Sequence, residues 1–298
     1  MATHIPEARR SVADCVVAAG GTVSEAKAFG RLFGIDTVAV TPVDQTVQDI
    51  FGALIARVVG GDVPDTVIYV HGNPVQPGAD GVVLGHVRAL LVGVERAYEM
   101  DQQNCSTLFW ALEGARLLLA AGTARCVLIL AGDGMNGLAA GERYAPGCTA
   151  IGDGYVALLV DAQPGGVRLS VPFLATRAVH HSGRFGTADE VQAFNAGHSG
   201  FVGEILQGLG TGMAADGPPL LGHNVNRLSW AKFCKDTGFD RDRIRLDLLP
   251  DVGHCYTADA FLMLPRLLAD GKEGDLLSVG QGGFLAGCKV MGVAHAGA

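Results

Sequence analysis

The stretch AYEMDQQNCSTLFWALEGARLLLAAG, residues 97–122, joins a segment that can be extended to one with the character of a helix. The helical part follows Cys105 and ends at Gly122, the residue type that most often closes a helix. It is apolar on nearly every face, which predicts a buried helix. A thiol at such a corner lies near the free N–H groups and the positive dipole end of the first turn, which favour thiolate. Taken alone, Cys105 fits a catalytic thiol and a buried core cysteine equally well.

The composition predicts a large globular protein with reduced thiols. Of 298 residues, 49% are hydrophobic and 17% are charged, so a large core is expected and disorder is not. The net charge of −8 comes without a basic stripe, which argues against a nucleic-acid partner. Seven cysteines without paired spacing are typical of a cytoplasmic protein. We expect no signal peptide, no membrane span and no metal site.

Short β-rich runs alternate with longer helical runs along the whole chain, which predicts an α/β fold with much parallel sheet. The best boundary is Pro164-Gly165-Gly166. It divides the chain into halves 1–164 and 165–298 of similar rhythm, which indicates a duplication. The predicted strands are 66–70, 126–130, 155–160, 167–171, 218–224 and 275–279, and the predicted helices are 43–59, 81–96, 106–122, 188–208, 227–237 and 255–269.

Two histidines occupy positions comparable to that of Cys105. His223 follows a buried strand and precedes a helix, and His254 stands just before an apolar helix. Ligands of an α/β sheet bind beyond the carboxyl ends of its strands, so the three side chains could converge. Singly, each histidine is more often a hydrogen-bonded structural group. Together with a cysteine, the pair fits an activated nucleophile with proton donors around it.

Several other reactive side chains are interpreted as structural. Asp133, Asp153 and Glu113 are expected to hold turns or helix caps, and Asp259 could orient a histidine if its helix face points inward. Five further cysteines are expected to be inert core thiols: Cys126, Cys148, Cys234, Cys255 and Cys288.

These segments resemble those of ketoacyl synthase III, within the thiolase-like condensing enzymes. DQQNCSTLFWALEGARLLLAAG, followed three residues later by CVLILAGD, resembles the family's nucleophile segment. The other matches occur in the family's order over almost the whole chain: IGDGYVALLV (151–160) with the Gly-Asp-Gly-Ala turn, GHNVNRL (222–228) with His-Gln-Ala-Asn-x-Arg-Ile, GHCYTADA (253–260) with Gly-Asn-Thr-Ser-Ala-Ala, and SVGQGGFLAG (278–287) with the C-terminal Gly-Gly-Gly segment.

The resemblance implies a thiolase-like fold, with two duplicated α/β halves in a five-layer αβαβα sandwich. It implies that Cys105 accepts the acyl group, that His223 matches the family's catalytic histidine and that His254 matches its catalytic asparagine. The backbone N–H groups of Cys105 and Gly283 would form the oxyanion hole. The family's substrates are acyl-CoA or acyl carrier protein thioesters, no cofactor is tightly bound, and the subunits form homodimers.

Three departures from the family pattern bear on function. His254 stands where the type III branch has asparagine, which gives the Cys-His-His set of elongating ketosynthases. Histidine can donate a hydrogen bond to an enolate, as asparagine does, but it can also act as a base toward an alcohol, amine or thiol. The segment 24–30 lacks the tryptophan that commonly stacks on coenzyme A, which favours a carrier-protein donor. The chain is also short, with the first family strand missing or abbreviated before Pro6 and a compact interval from Asp153 to His223.

We therefore expect an enzyme, a ketoacyl synthase III-like acyltransferase. An acyl thioester would load Cys105, and a decarboxylative Claisen condensation with a malonyl-type thioester would follow, in specialised polyketide or fatty-acid-like biosynthesis. Two alternatives stay open. One is acyl transfer to an oxygen, nitrogen or sulfur nucleophile without a new carbon–carbon bond. The other is a non-catalytic subunit of a ketosynthase heterodimer, against which the retained Cys105 and His223 argue.

Overall fold

Two mixed β-sheets organise the computed structural model of the protein, which describes residues 1–60, 63–72, 83–134, 137–163, 166–182 and 186–293. The strands in these residues are β1 Ala2–His4, β2 Arg9–Ser11, β3 Thr37–Ala39, β4 Thr66–Val70, β5 Arg96–Met100, β6 Cys126–Ala131, β7 Tyr144–Ala145, β8 Thr149–Ala150, β9 Tyr155–Asp161, β10 Val167–Leu169, β11 Phe173–Thr176, β12 Leu220–Gly222, β13 Ile244–Arg245, β14 Gly274–Gly280 and β15 Phe284–Val293.

The helices complete both halves of the chain. They are α1 Val12–Ala18, α2 Val23–Phe33, α3 Val47–Val58, α4 Val83–Leu90, α5 Thr107–Ala120, α6 Ala188–Leu209, α7 Arg227–Thr237, α8 Leu249–Val252, α9 Asp259–Leu262 and α10 Leu264–Ala269. Short 3₁₀ turns cover Asn104–Ser106, Ala140–Arg143, Arg241–Arg243 and Tyr256–Ala258.

The two sheets repeat one pairing pattern. The first runs β1-β9-β6-β4-β5 and the second β10-β15-β14-β12-β13, with β11 also paired to β15. In each sheet the first two pairings are antiparallel and the last two are parallel. Strands of the first sheet end at Asp161 and those of the second begin at Val167. This repetition is what a duplicated α/β unit produces. Pro164 and Gly165 of the expected boundary lie outside the described residues, so the division there stays a prediction.

Alternation along the strands creates the layers, because successive side chains of a strand face opposite sides of its sheet. Leu128 of β6 packs with α3 and α4, whereas its neighbour Ile129 packs with α5, α9 and α10. In the second sheet, Leu276 of β14 faces those same central helices and Leu277 faces α6 and α7. The order is helices, sheet, helices, sheet, helices. The predicted five-layer sandwich is confirmed.

Local sequence accounts for where the elements differ from expectation. The helix predicted over 255–269 is interrupted at Met263, because Pro265 lacks the N–H that a continuous helix requires. Helix α3 starts at Val47 rather than near Asp44, since Thr46 forms a capping box with Asp49. The helix predicted over 81–96 ends at Leu90, and its first two residues lie outside the described part. The first strand is abbreviated but present, and β1 pairs with β9.

Candidate active site

Cys105 lies at the corner between β5 and α5. It belongs to the 3₁₀ turn Asn104–Ser106, and Asn104 enters that turn with a left-handed φ of 53°. The corner contacts the second half of the chain, because Ser278 Oγ donates to the Cys105 carbonyl oxygen at 2.9 Å and Gln281 N–H donates to Asn104 Oδ1 at 3.2 Å. The thiol is therefore held at the junction of the two halves, with its side chain buried.

A line of hydrogen bonds runs from Cys105 through His254 to Asp259. Cys105 Sγ lies 3.2 Å from His254 Nε2, and His254 Nδ1 contacts the Asp259 carboxylate. The same carboxylate accepts the backbone N–H groups of Cys255 at 2.7 Å and Asn224 at 2.8 Å. These bonds fix Asp259, which is fully enclosed by the protein. A cysteine, a histidine and an aspartate in this order are the components of a nucleophile, its base and an orienting acid.

The backbone around His254 is fixed by close packing against β8. His254 N–H donates to the Ala150 carbonyl oxygen at 2.9 Å, and Gly152 N–H donates back to the His254 carbonyl oxygen at 3.0 Å. Gly253 has a φ of 77°, and a Cβ there would lie 2.8 Å from the Ala150 carbonyl oxygen. Glycine is therefore required before His254.

The electrostatics favour His254 as the base for Cys105. Burial raises the pKa of the Cys105 thiol, and His254 opposes that rise. Burial alone would lower the pKa of His254, but the Asp259 carboxylate and the Cys105 sulfur together raise it well above its ordinary value. Because Asp259 accepts at Nδ1, the Nδ1 atom carries a proton, and Nε2 is the atom that can take up or release the second proton beside the Cys105 sulfur.

His223 occupies the end of β12 in a different environment. Its Nδ1 accepts a long hydrogen bond of 3.4 Å from Val279 N–H, and its Nε2 has no protein partner in the described part of the chain. Burial lowers the pKa of His223 well below its ordinary value. A neutral ring that accepts at Nδ1 carries its proton on Nε2. His223 is therefore a hydrogen-bond donor, whereas His254 Nε2 is placed to exchange a proton with Cys105.

The three predicted side chains converge. Cys105, His223 and His254 line one pocket of about 310 Å³, and the two imidazole centroids are 6.2 Å apart. The structure thus brings together the three residues that the sequence singled out, and their catalytic roles stay predictions. The rest of the lining mixes apolar and neutral polar residues: Tyr144, Ala145, Pro146, Cys148, Thr149, Gly186, Ala188, Val191, Phe194, Val225, Tyr256, Val279 and Gln281.

The N–H groups around the expected oxyanion hole differ in whether they are already paired within the protein. Gly283 N–H donates to the Gly280 carbonyl oxygen at 3.1 Å and closes the turn between β14 and β15. Neither Cys105 N–H nor Gly282 N–H donates to an acceptor in the described residues. Gly282 has a φ of 92°, a conformation suited to glycine. Among the N–H groups of Cys105, Gly282 and Gly283, those of Cys105 and Gly282 are therefore unpaired within the described residues, and the oxyanion hole of Cys105 and Gly283 stays a prediction.

The acidic residues interpreted as structural divide in two. Asp133 accepts from Thr257 Oγ1 at 3.0 Å, and Asp153 forms a buried ion pair with Arg143 at 3.0 Å. Glu113 pairs with Arg116 on the surface of α5. Asp259, in contrast, contacts a site residue. The sequence left open whether the Asp259 side chain faces inward. Its position five residues after His254 was the signal that it could contact that histidine.

One histidine near the site gave no signal in the sequence. His198, on α6, is fully buried, and its ring makes an edge-to-face contact with His223 at a centroid distance of 5.4 Å. Burial lowers the pKa of His198 to about 4, so the ring is neutral. Nothing in a mid-helix histidine flanked by small residues distinguishes it from a core residue.

Comparison with known proteins rests on structure. No protein-family model matches the chain, and no curated protein matches its sequence. Among solved structures, ChlB3, named an acyltransferase, is 22% identical with a TM-score of 0.78, over 99% of this chain and 96% of that chain. The β-ketoacyl-[acyl carrier protein] synthase III of Thermus thermophilus is 19% identical with a TM-score of 0.74, over 99% and 98%. A variant of OleA from Xanthomonas campestris is 14% identical with a TM-score of 0.76, over 98% and 96%.

The chain has the fold of the thiolase-like condensing enzymes.

Within this thiolase-like fold, the pocket lies where the two halves meet. The first half supplies the nucleophile corner, and the second supplies both histidines and the Gly280–Gly283 turn. No helix in the described ranges is long and apolar enough to cross a membrane. Among those same residues, no group of three or more metal-ligating side chains is placed to hold an ion.

Proposed function

We propose that this protein is an acyltransferase that takes an acyl group from a thioester onto Cys105 and passes it to an oxygen, nitrogen or sulfur nucleophile. The observation that carries the proposal is the line from Asp259 through His254 to Cys105. Such a line is suited to removing a proton twice, first from the cysteine and then from an incoming acceptor. A carboxamide at position 254 could donate a hydrogen bond but could not take that proton.

In the first half-reaction, the Cys105 proton moves to His254 Nε2 and the thiolate attacks the thioester carbonyl carbon. The carbonyl oxygen gains the negative charge, and we assign its stabilisation to Cys105 N–H and Gly282 N–H. When the tetrahedral intermediate collapses, the donor carbon–sulfur bond breaks. The departing thiolate takes the proton from His254. The products are acyl-Cys105 and a free donor thiol.

In the second half-reaction, His254 Nε2 takes the proton of the acceptor as its heteroatom attacks acyl-Cys105. The carbon–sulfur bond to Cys105 breaks, and the proton returns from His254 to the cysteine. His223 Nε2–H can donate to the substrate carbonyl in either half-reaction, because it has no partner among the described protein groups. The cycle consumes no metal, oxidant or additional proton donor.

We further propose an acyl carrier protein or coenzyme A thioester as donor, and a homodimer working in polyketide or fatty-acid-like biosynthesis in the cytoplasm. Two of the similar structures are named 3-oxoacyl- or β-ketoacyl-[acyl carrier protein] synthase III, which supports a carrier protein as a partner of this chain. The absence of tryptophan from α2 supports the same choice, because no indole in that helix can stack on adenine.

Decarboxylative condensation with a malonyl-type thioester is the second candidate. It is favoured by His223, a neutral donor that suits an enolate oxygen. His254 is less suited to this reaction. Asp259 aligns it as a base, a role that attack by an alcohol, amine or thiol needs and decarboxylation does not. We therefore rank heteroatom transfer first.

The loading step is tested by intact-mass measurement after exposure to a panel of acyl thioesters. We expect one acyl mass per chain, located on Cys105 by peptide mapping and absent in Cys105→Ala. Cys148→Ala is the matched control, because Cys148 lines the same pocket and burial raises its pKa to about 12. Cys148→Ala should acquire the acyl group on Cys105 as the original protein does.

Two outcomes would redirect the proposal. Carbon dioxide release from a malonyl thioester by the acylated enzyme, with formation of a β-keto product, would establish condensation instead. Failure of every donor to modify Cys105 would sink the enzymatic proposal and leave the non-catalytic partner subunit.

A further inference from the structure

The active-site pocket contains buried polar groups that the proposed chemistry does not use. Thr149 is 4% exposed, lines the pocket and has no hydrogen-bond partner for Oγ1 in the described residues. Gln281 also lines the pocket, and its Oε1 is shielded from solvent and equally unpaired within that part of the chain. Buried polar atoms are nearly always paired in proteins, so two unpaired ones in one pocket indicate a ligand that pairs them.

Both residues line the same pocket as Cys105 and belong to segments that come close to it. Gln281 N–H and the Cys105 thiol bind the same atom, Asn104 Oδ1, at 3.2 Å and 2.9 Å. Thr149 follows Cys148, which is close enough to Cys105 for the charge on the Cys105 sulfur to raise the pKa of Cys148. A group bound by these side chains would therefore belong to the part of the acyl chain near the thioester.

The chemistry of the lining selects a neutral group that both donates and accepts. Gln281 Oε1 accepts a hydrogen bond, and the Thr149 hydroxyl can donate or accept one. None of the lining residues in the described part of the chain is lysine, arginine, aspartate or glutamate. A charged substituent would be buried there without a counter-charge, which is costly. A hydroxyl group satisfies Gln281 and Thr149, whereas a ketone can only accept.

The pocket volume limits the length of the chain. About 310 Å³ is available. Since water in the liquid occupies roughly 30 Å³ a molecule and a methylene group takes a similar space, the pocket holds about ten non-hydrogen atoms.

We infer that the acyl group carried by Cys105 is short and hydroxylated, and that Thr149 and Gln281 bind its hydroxyl. This inference rests on the proposed function, because it concerns the group loaded on Cys105. The expected substrate class is then a thioester of a compact hydroxylated acyl group rather than of a simple hydrocarbon chain.

The test compares matched pantetheine thioesters. Butyryl, 2-hydroxybutyryl, 3-hydroxybutyryl, 4-hydroxybutyryl, 3-oxobutyryl and dodecanoyl donors are each mixed with the protein, and acylation of Cys105 is timed by intact mass. Each rate is divided by the rate of the same thioester with glutathione, which removes differences in intrinsic reactivity. We expect one hydroxybutyryl isomer to exceed butyryl about fivefold, the gain that one net hydrogen bond of average strength provides. The 3-oxobutyryl and dodecanoyl donors should not share that gain.

Variants assign the gain to the two residues. In Thr149→Val, which removes the hydroxyl at nearly constant volume, and in Gln281→Leu, the ratio of hydroxybutyryl to butyryl rates should fall toward one. Thr149→Ser keeps a hydroxyl and should keep the ratio. Equal normalised rates for butyryl and all three hydroxybutyryl donors would overturn the inference and leave the proposed function standing. No adduct from any donor would remove the proposed function, and this inference with it.

Discussion

His223 and His254 face one pocket with ring centroids 6.2 Å apart, but the protein treats the two rings in opposite ways. His254 has the Asp259 carboxylate behind it, and its pKa is raised well above the ordinary value. His223 has only the Val279 N–H behind it, and burial lowers its pKa well below that value. The residue type is the same, and the partner of Nδ1 determines whether Nδ1 or Nε2 carries the proton of the neutral ring. The surroundings of His254 suit a base, and those of His223 suit a hydrogen-bond donor.

The sharpest way to break this comparison is to remove the base. In His254→Asn, which restores the carboxamide of the ketoacyl synthase III pattern, we expect transfer from acyl-Cys105 to a simple alcohol to fall roughly 10³–10⁴-fold, at the upper end of the value of general-base catalysis. Transfer to hydroxylamine, a much stronger nucleophile, should fall less. The decay of preloaded acyl enzyme by intact mass measures both. Equal rates in variant and wild type would show that His254 removes no proton.

The next change converts His254 toward the state of His223. In Asp259→Asn, the side-chain amide can donate to Nδ1 and move the imidazole proton to Nε2, so His254 should become a donor. We expect alcohol transfer to fall roughly 10²–10³-fold through the wrong tautomer. The pH dependence should also change, because the variant loses the carboxylate that raises the pKa of His254. A merely structural role for Asp259 would lower stability and leave the pH profile of the remaining activity unchanged.

The complementary change removes the donor. In His223→Leu, we expect both acylation of Cys105 and transfer to fall about 10²-fold, the typical loss when one donor to a developing oxyanion is removed. His223→Gln, whose amide can still donate, should recover part of the rate. The two variants are compared by single-turnover acylation. Identical rates in the leucine and glutamine variants would mean that position 223 supplies no hydrogen bond.

The same contrast shows how far the sequence reaches. Cys105, His223 and His254 could be predicted because each follows a strand end or begins a helix, and parallel strands bring such positions together. The helix 255–269 was expected to be continuous, but Pro265 breaks it, so no single 3.6-residue period fixed the side that Asp259 faces. Gly282 and Gly283 are the same residue type, and only the geometry of the turn shows that Gly283 N–H, and not Gly282 N–H, donates to the Gly280 carbonyl oxygen.

The fold was more predictable than the chemistry for a related reason. The five layers follow from the distribution of hydrophobic residues over the strands and helices, to which many residues contribute. Leu128 and Ile129, for example, pack on opposite sides of one strand. Under the proposed function, the choice between heteroatom transfer and carbon–carbon bond formation depends on the protonation of His254. That protonation is set by a contact between His254 and Asp259 that no periodicity describes.

The smallest expected effect concerns stability and involves His198, the ring packed on His223. The pKa of His198 is about 4 in the folded protein and about 6.5 when unfolded. Between these values the unfolded chain binds more protons, so the free energy of unfolding falls as the pH decreases below about 6.5. His223, whose pKa is also lowered, contributes in the same direction. His254 does not, because its raised pKa gives stability that is fully present below pH 6.5 and is lost only as the pH rises through that pKa.

In His198→Phe, the loss of stability between pH 8 and pH 5 should shrink by about 2 kcal/mol, measured by urea unfolding at both values. If the change in the free energy of unfolding between pH 8 and pH 5 were the same in His198→Phe and in the original protein, His198 would take up a proton as readily in the folded state as in the unfolded one. Burial around His223 would then not disfavour a charged ring.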